Sequence, residues 1–194
     1  MLCAAGAGGA AWYRRKRQVA PETARSDSPV ADSSGKKYRN APGHWNWFIS
    51  HVQDETAVFA EAIYSEFKVQ RGLGVWMDVK MDHRDVKSME EGITNSDKVL
   101  ILISESYFKS DYCCKELRWA RDAQKELVVC IDVKNKKRIA EFLDTAPKDL
   151  KRLGEINFID LNRGDKDYWK VGVKKIMEAE TRQMPLWDPL AYAV

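Results

Sequence analysis

The residues with the types and spacing to do chemistry follow a single apolar run. Val99-Leu100-Ile101-Leu102-Ile103 is unbroken, short and rich in β-branched side chains. That is the pattern of a strand buried on both faces at the centre of a parallel sheet. Ligands of open parallel sheets bind outside the carboxyl ends of the strands. The polar residues just past this run are therefore the candidates: Ser104, Ser106, Ser110, Asp111, Tyr112 and Glu116. Glu116 stands out. It lies four positions after Tyr112, so on a helix its carboxylate and the phenol ring share a face. A carboxylate beside an aromatic ring at a strand's carboxyl edge has the means to hold a ribose ring and its hydroxyls. The alternative is a glutamate that simply faces solvent between Lys115 and Arg118, as most glutamates do.

Positioning these residues takes alternating strands and helices. Trp45 to Ser50 (WNWFIS) reads as a first strand. Asp54 and Glu55 favour a helix start, because carboxylates stabilise the positive end of the helix dipole. Val58, Phe59, Ala62, Ile63 and Phe67 then recur at helical spacing. Arg71-Gly72-Leu73-Gly74 is a turn, and Val75 to Asp78 a short second strand. A dinucleotide glycine loop must follow a strand and open a helix; these glycines precede the strand, which excludes a Rossmann fingerprint. Val79 to Lys87 reads as a polar loop and Ser88 to Asn95 as a short helix. The central strand and the Glu116 helix follow. Leu127 to Asp132 is a fourth strand, Lys134 to Arg138 a solvated basic turn, and Ile156 to Asp160 a fifth strand. Trp169, Val173, Ile176 and Met177 form one apolar face of a closing helix. The alternation predicts right-handed βαβ units, an α/β fold with a parallel sheet and helices on both faces.

The 194 residues suit one domain of common size plus a tail. The net charge of +3 is unevenly placed: residues 1–44 carry a net +5 and residues 45–194 a net −2. The folded part thus offers no electrostatic case for nucleic acid. The four cysteines, Cys3, Cys113, Cys114 and Cys130, show no C-x-x-C or Cys/His spacing, so neither a disulfide framework nor a metal site is indicated. Free thiols suit a reducing compartment. Residues 1–17 join a small apolar segment to the basic cluster Arg14-Arg15-Lys16-Arg17. This reads as the end of a membrane helix with its cytoplasmic flank, although a full span needs about 20 apolar residues. Other readings are an interfacial or lipidated end, with Cys3 as the acyl site, or a start with no membrane role. Residues 18–43, rich in Pro, Ser, Asp, Ala and Gly, read as a disordered linker. The domain then spans 44–184, with a tail at 185–194.

Four blocks in order resemble one family. SESYFKSDYCCKEL is similar to the third-strand-to-third-helix segment of TIR domains (Toll/interleukin-1 receptor/resistance protein), where S-x-[W/Y]-C-x-x-E-L is typical. FISHVQDE (Phe48 to Glu55) resembles the first strand and its loop, GVWMD (Gly74 to Asp78) the second strand, and MEEGITNSDKVLILIS (Met89 to Ser104) the second helix and third strand. The resemblance implies a flavodoxin-like three-layer fold whose five-stranded parallel sheet has the order 2-1-3-4-5. In that order the loops after the first and third strands line one cleft, together with the loop after Asp78. A flavodoxin-like phosphoacceptor or FMN domain needs an acidic cluster or phosphate loop after the first strand, and Ser50-His51-Val52 supplies neither.

The resemblance leaves two functions open. Many family members cleave NAD between nicotinamide and ribose, with NAD as substrate and no metal or other cofactor. It implies Glu116 as the catalytic carboxylate and Tyr112 as the aromatic that stacks on nicotinamide. Ser50, His51 and Asp78 then bind substrate from the neighbouring loops. Activity in such members goes with self-association, so a homo-oligomer is implied, in signalling or innate immunity, on the cytoplasmic side of any membrane tether. The alternative is a non-catalytic adaptor acting through TIR–TIR contacts; adaptor-type domains commonly lack a glutamate at the position of Glu116. Two features depart from the family pattern. The loop after the second strand has no Arg-Gly or Gly-Asp, and HVQDE is not the plant FRGxD loop.

Overall fold

The computed structural model describes residues 43–179. The segment 1–17, nearly all of the linker, residues 180–184 and the tail 185–194 lie outside the described residues. Strand β1 (Trp45–His51) leads to helix α1 (Gln53–Tyr64), which widens into one π-helical turn at Ser65–Val69. Strand β2 (Val75–Trp76) is followed by a short turn at Asp78–Lys80 and helix α2 (Val86–Thr94). Strand β3 (Ser96–Ile103) leads through a single turn, Tyr107–Lys109, into α3 (Asp111–Asp122). Strand β4 (Glu126–Asp132), the turn Val133–Arg138 and α4 (Ile139–Asp144) come next. A looser helical stretch at Lys148–Glu155 precedes β5 (Phe158–Leu161) and α5 (Lys166–Met177).

The five strands lie in the order β2-β1-β3-β4-β5, every neighbouring pair parallel. This is the sheet that the resemblance implied. Val99 to Ile103 are each at most 2% exposed, as a central strand requires. Alternate side chains feed two cores. Val99, Ile101 and Ile103 face a layer built with Ile93 of α2, Leu117 and Ala120 of α3, and Phe142 of α4. Leu100 and Leu102 face the layer formed by Ala60 and Ile63 of α1 and Val173 and Ile176 of α5. Each buried aliphatic side chain contributes about 1.5–3 kcal/mol by leaving water, so β3 anchors both layers. Gly92 lets α2 approach the sheet: a Cβ there would lie 2.7 Å from the Trp76 ring, which stacks on Phe48 at 4.5 Å.

Several local readings change. The buried stripe of α1 is Thr56, Ala60 and Ile63, continued by Phe67 of the π turn, a spacing of four, three and four. Val58 is 64% exposed; its apolar character does not make it a contact, because it lies off the face that carries Thr56, Ala60 and Ile63. Strand β2 stops at Trp76, two residues early, because the Asp78 carboxylate accepts a hydrogen bond from the Val79 amide at 2.7 Å and turns the chain. Helix α2 starts two residues early, capped by Asp85, whose Oδ1 accepts from the Ser88 amide at 2.8 Å. The basic turn is not simply solvated. Arg138 donates to Glu105 at 2.8 Å and Glu141 at 2.6 Å and lies over Phe142. β5 runs two residues later at its start than the apolar run suggests, and α4 was not foreseen.

Candidate functional site

The order of the sheet reverses between β1 and β3. Helix α1 leaves β1 for one face and α3 leaves β3 for the other, so a crevice opens where the chain diverges. Ser50 sits at the carboxyl end of β1, opposite Ile101 of β3. The Tyr107 turn and the start of α3 lie beyond the end of β3. Ser110 opens α3, its hydroxyl accepting from the Cys113 amide at 3.3 Å, and Asp111 in the first turn suits the helix dipole. Cys113, Cys114, Glu116, Leu117 and Ala120 form the buried side of α3.

Glu116 is therefore a buried glutamate, 7% exposed, and the solvent-facing alternative does not hold. Ser50 Oγ donates to Glu116 Oε2 at 2.6 Å. The same Ser50 Oγ lies 2.6 Å from the hydroxyl of Tyr107, which is fully buried. Burial raises the Glu116 pKa first; the Ser50 hydrogen bond opposes this and the negative charge of Asp78 adds to it, leaving the carboxyl at about 8. A group with that value changes charge near neutral pH, a trait of groups that do acid–base or charge-stabilising work. Burial also drives the Tyr107 phenol well above its ordinary range, with Cys113 and Glu116 adding to the effect. Burial, then the Glu116 charge, pushes the Cys113 thiol up to about 12. Its S–H donates to the His51 carbonyl at 3.6 Å, making it a weak nucleophile and a tie between β1 and α3.

The sequence-predicted residues meet unequally. Ser50 and Glu116 touch, and Asp78 lies within electrostatic reach of Glu116. The His51 ring pairs with Gln53 Oε1 at 2.9 Å. Tyr112 is 54% exposed at the start of α3, its ring 5.5 Å from the Lys115 ammonium. Among the other polar candidates, Ser104 is buried and the Ser106 amide donates to Glu55 Oε2 at 3.0 Å. Partial burial works against ionising Glu55, but the hydroxyls of Ser104 and Ser106 and that amide outweigh it and lower its pKa. Glu55 thus joins the start of α1 to the loop after β3.

Two members of this network were missed from sequence. Tyr107 was not singled out. Its signal was its place, four residues past the end of the central strand among serines already singled out. Glu55 was read only as a helix-dipole residue. A separate hollow of about 740 Å³ lies between α1 and α5, bounded in part by Glu61, Glu66, Arg163 and Trp169. It shares no residue with the Glu116 cleft, and its rim is charged without a buried titratable group, so the chemistry points to Glu116. Among the described residues no group of three His, Cys, Asp or Glu converges as metal ligands, and no helix is long and apolar enough to cross a membrane.

Comparison with known proteins gives three findings. The family model for the TIR domain matches residues 48–177. A curated relative from Methanobrevibacter olleyae, named "Probable 2' cyclic ADP-D-ribose synthase TcpO", is 31% identical over 85 residues, 42% of this chain. The match spans only 25% of that relative's own length. Among solved structures, the TIR domains of the activated Roq1 resistosome, which recognises the pathogen effector XopQ, align with a TM-score of 0.52 at 18% identity, over 70% of this chain and 98% of that one. A TIR-STING receptor from C. gigas in complex with 2',3'-cGAMP aligns with a TM-score of 0.50 at 18% identity, over 77% of this chain and 42% of that one.

Proposed function

The chain belongs to the TIR-domain family, and from that premise we propose that it cleaves NAD at the bond between nicotinamide and ribose. The observation that carries the proposal is Glu116, a buried carboxyl at the carboxyl edge of the sheet, held by Ser50 at 2.6 Å. Nicotinamide leaves from a positively charged pyridinium ring, so no general acid is required. The barrier lies in the positive charge that develops on the ribose as the bond breaks. A carboxylate fixed beside that carbon stabilises it, as in glycoside hydrolysis. It acts in a crevice where charge is poorly screened by water. Asp78 lies on the same side, and its negative charge favours the cationic transition state. Tyr112, exposed at the cleft's outer end, offers the nicotinamide ring a stacking face. A relative named for ADP-ribose cyclisation is consistent with this chemistry.

Self-association is the proposed route to full activity, and it makes clustered protein the proper test sample. The full chain, concentrated or tethered on beads, is incubated with NAD while nicotinamide release and ADP-ribose products are followed, with Glu116→Gln alongside. Release by the parent and its loss in the variant are expected. Equal release by both sinks Glu116 as the working carboxylate. No release from either, even when clustered, shifts the reading to a TIR–TIR adaptor.

A further inference from the structure

Glu116 Oε2 and Oε1 have different surroundings. Oε2 accepts the Ser50 hydroxyl at 2.6 Å. Oε1 takes no hydrogen bond among the described residues, yet is not sealed from solvent. Ser50 has one hydroxyl hydrogen and gives it to Glu116. In the 2.6 Å contact between Ser50 and Tyr107, Tyr107 must therefore be the donor. Tyr107 is 0% exposed, and Ser50 is the only hydrogen-bond partner of its hydroxyl among the described residues. Running the chain backwards, from Glu116 through Ser50 to Tyr107, would strand the phenol hydrogen in a dry site. A buried donor left without an acceptor costs about 1–3 kcal/mol. The two hydrogens are thus locked in one direction, both pointing toward the carboxylate.

We propose that Tyr107 is a positioning residue for Glu116: its hydroxyl fixes the Ser50 hydrogen on Oε2, which eases ionisation of the carboxyl against its burial and leaves Oε1 for the substrate. The catalytic consequence deepens, and rests on, the reading of Glu116 as the working carboxylate. The hydrogen-bond relay itself stands apart from any activity. The groups facing Glu116 are Ser50 from β1, Asp78 after β2 and Tyr107 after β3, with Cys113 beside it on α3. Asp78 and burial favour the protonated form; Ser50, supported by Tyr107, favours the charged one.

The test is a direct titration of the Glu116 side chain in the full chain. Carboxyl-carbon NMR with labelled glutamate is used, the signal being assigned by its loss in Glu116→Gln. Tyr107→Phe removes one oxygen and should raise the midpoint by about half a pH unit. Ser50→Ala should raise it by about one. The double variant should match Ser50→Ala alone, because Tyr107 acts only through Ser50. An unmoved midpoint in Tyr107→Phe, or effects that add in full in the double variant, overturns the proposal. Should Tyr107→Phe not fold, Ser50→Ala decides, and an unmoved midpoint there is equally fatal. In the NAD assay, Tyr107→Phe should lose about threefold in kcat/KM at pH 7 and come close to the parent value at pH 9. A uniform loss at both pH values marks a merely structural role and overturns it. A parent chain that releases no nicotinamide but titrates as described refutes NAD cleavage and leaves the relay standing.

Discussion

Glu116→Gln should make the protein more stable, and by an amount that grows with pH. The carboxyl has an ordinary value of 4.5 and is raised to about 8 in the folded chain, chiefly because burial penalises the charged form. Below pH 4.5 it is protonated whether the chain is folded or not, and the penalty is absent. Between 4.5 and 8 the unfolded chain ionises freely while the folded one holds its proton, so stability falls as pH rises. At 1.36 kcal/mol per pH unit the loss is about 3 kcal/mol at pH 7 and approaches about 5 kcal/mol above pH 8. Glutamine keeps the size of the side chain and an oxygen to accept the Ser50 hydrogen but never charges. Urea unfolding of parent and variant at pH 5, 7 and 9 measures the difference directly. Comparing the two at each pH cancels every other titration. A gap that opens from about 1 kcal/mol at pH 5 to about 5 kcal/mol at pH 9 is expected. A gap independent of pH, or a variant less stable than the parent at pH 9, refutes the reasoning that Glu116 is buried against its charge.

Further outcomes follow from the same geometry. If the ionised Glu116 does the work, kcat/KM for NAD should climb tenfold per pH unit up to about 8 and then level off, since that ratio reports the free enzyme. The rising limb of kcat should lie lower, because the bound pyridinium favours the carboxylate, and a flat profile from pH 6 to 9 rules the ionised form out. Gly92→Ala should cost about 1–3 kcal/mol in denaturant unfolding, since its Cβ would sit 2.7 Å from a Trp76 ring that is itself buried; an unchanged midpoint would mean that α2 shifts freely. Cys113, pushed up to about 12 mainly by burial, and Cys130, pushed up by burial alone, should resist an aromatic disulfide reagent at neutral pH in the native protein and react quickly once unfolded. Peptide mapping that finds native Cys113 labelled at the rate of a free thiol refutes that.

The sheet was legible because its central strand is apolar at every position. Val99 to Ile103 has only one comfortable place in a fold of this size. The Glu116 helix was legible too, since Leu117 and Ala120 declare a buried face. Periodicity cannot say that Glu116 belongs to that face, for burial of a carboxyl depends on what stands opposite. Here that is Ser50, 66 residues earlier. Tyr107 is harder still. Its chemistry lies in one hydrogen, whose direction depends on Ser50 and Glu116 together. Strand β2 was read too long because nothing in VWMD shows that the Asp78 side chain will bond its neighbour's amide. On α1 the apolar letters marked Ile63 and Phe67 rightly, but also Val58, which is exposed, and they passed over Thr56 and Ala60, which are buried.

The sheet tapers toward both sides. Its inner strands have seven, eight and seven residues, while the outer ones have two and four. A long bare rim of backbone amides and carbonyls is a template onto which another chain's strand can add. Here the rim at β2 offers two residues, too few to capture a stranger. A domain proposed to work crowded against copies of itself is exposed to that hazard more than most. Margins clipped this short give crowded copies little strand edge on which to seed a fibril.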